Sequence, residues 1–114
     1  MTKLFETTDP RGLKVYLDED QWDYHIALPA GHLSQRSLHE LKDAVEEPNQ
    51  IWTTADTINP NRDVYFRERI NSTSVKTKYI KVVVDRSEVP AEIITAFLTP
   101  QIQGNIKEKI YEKT

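Results

Sequence analysis

Two runs, "YIKVVVD" from Tyr79 and "EIITAFL" from Glu92, limit most strongly what this chain can become. Both are dense in β-branched and aromatic residues, which pack well on a pleated surface. Turn chemistry bounds them, with "RSEVPA" between the two, so they predict central strands. Two further strands are predicted upstream. "QIWTTADTI" leads through the bend "NPNRD", with Pro60, into "VYFRERI". Alternation in this last run places Val64, Phe66 and Ile70 on one face and Tyr65, Arg67 and Arg69 on the other. "NSTSVKTK" reads as a polar turn.

The remaining segments predict helices and one more strand. "LKVYLDE" alternates Leu13, Val15 and Leu17 with polar residues, as a half-buried strand does. Asp20 and Asp23 suit the positive start of a helix over Gln21 to Leu28, which Pro29 ends. A second helix, "SQRSLHELKDAVEEP", has a capping box from Ser37 and Glu40. Its apolar stripe is Leu38, Leu41 and Val45. "NIKEKIYEK", with Ile106 and Ile110 four apart, predicts a short C-terminal helix. The expected fold is α+β: an N-terminal strand and two helices packed on a roughly four-stranded antiparallel sheet. Its 114 residues suit a single domain over 1–114 with one modest core.

Composition narrows the function classes. No apolar run approaches the roughly 20 residues of a membrane span, so no membrane role is expected. The N-terminal stretch lacks the apolar core of a secretory signal. The chain has no cysteine, which excludes disulfides and thiolate zinc sites and fits a cytoplasmic location. The formal net charge of −3 argues against a sequence-independent grip on a long polyanion. A local basic cleft remains compatible with it. With 3 glycines, the chain holds no phosphate-cradling loop or dinucleotide fingerprint. His25 and His32 lie seven apart across a helix break, which is no metal-ligand pattern. No metal and no cofactor is expected.

Several residues could carry chemistry. His25 shares a helical face with Trp22 and could be either a packed core histidine or an acid–base group suited to neutral pH. His32 follows Gly31 in a loop, where surface exposure is the ordinary outcome. His39 reads as exposed helix surface. Arg67 and Arg69 neighbour each other on the face that also carries Tyr65. Two guanidiniums and a phenol there suit a phosphodiester, or simply a solvated face paired with acidic residues. Thr95 is either a β-former or a hydroxyl aimed into a cleft.

Three pieces occur in order: "WDYHI…GHL", "VYFRERI" and "YIKVVVD…EIITAFLTPQI". Together they resemble the phage-associated branch of the barnase–EndoU–colicin–RelE group of small ribonuclease domains, over about Trp22 to Ile102. The resemblance implies a metal-independent ribonuclease, a toxin or phage-derived enzyme, that works by acid–base transesterification of the ribose 2′-OH. His25, His32, Arg67 and Thr95 would be catalytic; Tyr65, Arg69 and Lys81 would bind substrate. The implied partner is RNA, together with an inhibitor or antitoxin protein covering the arginine strand. The chain departs from the pattern at "AGHL", where such domains carry "RHP" or similar, and in its acidic balance. A member that kept the fold without activity, and binds a protein or nucleotide, is the alternative.

Overall fold

A computed structural model describes residues 2–27, 37–70 and 72–114. Seven strands form one mixed sheet: β1 (Lys3–Thr8), β2 (Lys14–Asp18), β3 (Gln50–Thr54), β4 (Arg62–Glu68), β5 (Tyr79–Asp85), β6 (Ala91–Thr99) and β7 (Ile106–Glu112). Their order across the sheet is β1-β2-β6-β5-β4-β3-β7. All neighbours are antiparallel except β2 and β6. A short helix, α1 (Glu19–Gln21), runs into a wider π-type turn over Trp22–Ile26, and α2 (Ser37–Glu46) follows.

This corrects the four-stranded antiparallel expectation at both ends of the chain. The first strand, "KLFETT", pairs with β2 through the turn Asp9–Gly12. Asp9 Oδ1 accepts the backbone N–H of Arg11 and of Leu13, and Gly12 takes the left-handed φ of +88° that the turn needs. At the other end, the expected helix is strand β7. Its seven residues of alternating Ile, Lys, Glu and Tyr fit either period. Pairing with β3, Ile51 against Tyr111, decides for a strand. The sheet is mixed because β6 returns beside β2 in parallel, with Val15 opposite Ala91.

The helices also differ from expectation. The first begins at Glu19 rather than Gln21, after Asp18, whose side chain makes no cap bond. Its described part ends at Ile26, so the stop expected at Pro29 lies outside the described residues. Among the described residues only α2 has more than two turns, and Leu41, Ala44 and Val45 are its buried stripe. That stripe, with Trp22 and Ile26, packs on Val15, Leu17, Ile51, Tyr65, Ile80, Val82, Val84 and Ile93 of the sheet. Burial of these side chains is the main stabilising contribution, at about 1.5–3 kcal/mol each.

β6 carries one irregularity that bears on function. Val83 faces Thr95 and Val84 faces Ile93, leaving Ile94 as an extra residue in the ladder. The Gln21 side-chain amide donates to the freed Ile94 carbonyl. The first helix is thereby tied to β6 where β2 ends.

Candidate functional site

Strand alternation assigns the expected site residues to two different faces. Arg67 lies opposite Ile80 and two residues from Tyr65, both core residues on the α2 side. Thr95 lies two residues from Phe97 and opposite Val83, on the other face. Arg67 and Thr95 are therefore not brought together. The arginine serves α2 instead. Its Nη1 donates to the carbonyl of Glu47 at 2.9 Å and of Asp43 at 3.5 Å, both near the end of that helix. The Asp43 carbonyl also accepts the Glu47 backbone N–H, and both carbonyls lie at the helix's negative end, so a guanidinium is a favourable cap there.

Arg69 is committed in the same way. Its guanidinium pairs with Glu40 of α2 and donates to the Thr77 carbonyl at 3.2 Å. The cleft beside the two arginines, about 200 Å³, is also lined by Glu40, Asp43 and Glu68. Three carboxylates against two guanidiniums leave no positive excess for a phosphodiester.

Tyr65 is fully buried, so it is not a substrate contact on an open face. Its hydroxyl donates to Asp9 Oδ2 at 2.7 Å. Burial first, and the Asp9 carboxylate second, hold this phenol well above its ordinary pKa. Arg11 completes the cluster. Its Nη2 reaches Asp9 Oδ2 at 2.7 Å and the Tyr65 hydroxyl at 3.0 Å, and its Nη1 lies 3.1 Å from Asp63 Oδ2. Arg86 approaches the same Asp63 at 3.3 Å. Burial works against the Arg11 charge, but the Asp9 hydrogen bond and the surrounding anions raise its pKa above normal. Two carboxylates thus meet two guanidiniums. The cluster ties the β1–β2 turn to β4 and β5. Only the "DPRG" turn signal hinted at it in sequence; the partners are fifty or more residues away.

The opposite face presents a different arrangement. Phe66, Lys81 and Phe97 lie side by side on β4, β5 and β6. Lys81 Nζ is 5.6 Å from one ring centre and 5.3 Å from the other, within cation–π range. Its hydrogen-bond acceptors are the carbonyls of Gln103 at 3.1 Å and Gly104 at 3.4 Å. The residue is 8% exposed, and burial lowers its pKa from the ordinary lysine value. Lys81 and Thr95 are diagonal neighbours on adjacent strands, a separation of roughly 7–8 Å.

His25 is exposed on the π-type turn. It sits four residues after Gln21, on the same flank of the helix, and Gln21 is bonded to the carbonyl just before Thr95. Trp22 and Ile26 of the same turn are buried in the core on the α2 side, so His25 is carried by an element of that side. His32 lies outside the described residues. His39 is on the surface of α2, 3.4 Å from Asp43. Among the described residues, no group of three or more His, Asp or Glu side chains is placed to hold a metal ion. No described helix is long and apolar enough to cross a membrane. Comparison with protein-family models, with curated proteins and with solved structures finds no match for this chain.

Proposed function

We propose that this protein acts on RNA as a metal-independent ribonuclease through the sheet face opposite α2, with His25, Thr95 and Lys81 as its working groups. The observation that supports this reading is the shared face of Lys81 and Thr95. They are diagonal neighbours on β5 and β6, and the helical segment that carries His25 is tied to β6 through the bond from Gln21 to the Ile94 carbonyl. Arg67, tied to α2, has no part in it.

In this reading the His25 imidazole takes the proton of a ribose 2′-OH. The 2′-oxygen attacks phosphorus, and the bond from phosphorus to the 5′-oxygen breaks. Thr95 donates a hydrogen bond to a non-bridging oxygen, and the Lys81 ammonium stabilises the added negative charge of the phosphorane. A second acid returns a proton to the leaving 5′-oxygen, a role for which the sequence offers His32. The products are a 2′,3′-cyclic phosphate and a 5′-hydroxyl.

The test is cleavage of a single-stranded RNA, with product ends identified by mass spectrometry. His25→Ala lowers the rate by roughly 10²–10⁴, the usual size of a lost proton-transfer step. Arg67→Ala leaves the rate per folded molecule unchanged. Wild-type protein that leaves RNA intact at both low and high salt removes the catalytic reading.

A second reading, a non-catalytic module that binds a protein or nucleotide, has one observation in its favour. Tyr16, Asp85, Glu88 and Glu92 line a pocket of about 280 Å³ at one end of the sheet, an acidic mouth unsuited to RNA. Burial first, and then the neighbouring carboxylates, raise the Tyr16 pKa above its ordinary value. Under this reading partner binding survives His25→Ala.

A further inference from the structure

The chain between β6 and β7 must cross from the third strand of the sheet to the seventh. Four strand spacings of about 4.8 Å make roughly 19 Å. Seven residue steps, from Thr99 to Ile106, reach at most about 25 Å when fully extended. The connection, residues 100–105, therefore has little slack. It crosses the face opposite α2, because the Gln103 and Gly104 carbonyls receive the Lys81 ammonium there.

Its far end turns on two consecutive left-handed residues, Gly104 at φ +85° and Asn105 at φ +40°. A Cβ on Gly104 would stand 3.0 Å from Lys81 Nζ, so the ammonium would have to yield, and the left-handed φ itself favours glycine. The Asn105 carbonyl is fixed to the backbone N–H of Ala55 at 2.8 Å. The near-buried cation is thus held by two neutral carbonyls and two ring faces, with no carboxylate among its described hydrogen-bond and ion-pair partners. An anion makes shorter and stronger hydrogen bonds to ammonium than a neutral carbonyl does.

We infer that residues 100–105 form a strap closed over the ligand face, with the Lys81 ammonium as its catch and Gly104–Asn105 as its pivot, and that an anionic ligand opens it by taking the ammonium. The inference rests on the RNA reading for the identity of that ligand. The structure described above is the closed form.

Hydrogen exchange over the strap tests it in wild type, Lys81→Met and Gly104→Ala, with and without a 2′-O-methyl uridine tetranucleotide, which cannot be cleaved. Both variants should speed exchange of the Ala55 amide, which donates to the strap's Asn105 carbonyl, by roughly tenfold or more, the factor expected for one lost charged hydrogen bond, while β4 stays protected. The oligonucleotide should speed it in wild type and leave the open Lys81→Met strap unchanged. A strap equally protected in wild type and Lys81→Met overturns the catch. An oligonucleotide that binds wild type without loosening the strap overturns the opening step while the RNA reading stands. Two loosened variants and no oligonucleotide binding support the catch and count against RNA as the ligand.

Discussion

Two charged sites lie on opposite faces of one sheet, one with buried carboxylates and one with a buried ammonium, and they are built on opposite logic. On the α2 side, Arg11 and Arg86 meet Asp9 and Asp63, and the Tyr65 hydroxyl fills a remaining acceptor position. On the other side, Lys81 has two carbonyls and two aromatic rings. Charges that answer one another fix a structure, because removing any one strands its partner. A charge answered only by dipoles can change partner at small cost.

The largest expected effect comes from breaking the answered cluster. Asp9→Ala removes the acceptor for two turn amides, one guanidinium and one buried phenol. Denaturant unfolding should show a loss of about 3–5 kcal/mol. A loss below about 1 kcal/mol would mean the cluster is no more structural than Lys81. Next in size is Arg67→Ala, which uncaps the end of α2. An expected loss of about 1–2 kcal/mol can be read from the same unfolding curve. Lys81→Met is expected to change stability by less than about 1 kcal/mol in either direction, since an apolar stem of similar volume replaces the cation. A loss as large as that of Asp9→Ala would erase the contrast between the two faces.

The smallest effect concerns acid. Hydrogen bonds from Asn59 and the Ile58 amide lower the Asp56 pKa, and hydrogen bonds from Ser87 lower that of Asp85, both below the ordinary 3.8. A carboxylate depressed on folding stabilises above its unfolded pKa, and that stability is lost as pH falls through the folded value. Below about pH 4, therefore, the β3–β4 and β5–β6 turns should loosen. Amide chemical shifts of Ile58 and Ser87 followed down a pH series would show it.

Much of the sheet was legible in the sequence because strand residues declare their alternation. β2 through β6 lie where the runs predicted them, and Tyr65, Arg67 and Arg69 do share a face. Which face α2 covers was not legible. Phe66 and Tyr65 are both fully buried, so β4 is apolar on both sides and alternation alone points neither way. The arginines were expected on open sheet and instead belong to the helix. β1 and β7 were missed for a related reason. "KLFETT" and "IKEKIYE" are short, charged and weakly patterned, and they become strands only through their neighbours. Of the candidate site, Thr95 stood out as a hydroxyl in an apolar run. The pairing of Lys81 with Phe66 and Phe97 depends on strand register, which the sequence does not print.

The outer strand β7 leaves one row of backbone amides and carbonyls without a further strand in this molecule. Lys107, Lys109 and Lys113 punctuate that row, with Glu108 and Glu112 between them. A second molecule arriving to extend the sheet would have to dehydrate this charged fringe before gaining a single ladder bond. Growth by edge-to-edge addition is thereby discouraged where the chain would otherwise be most adhesive.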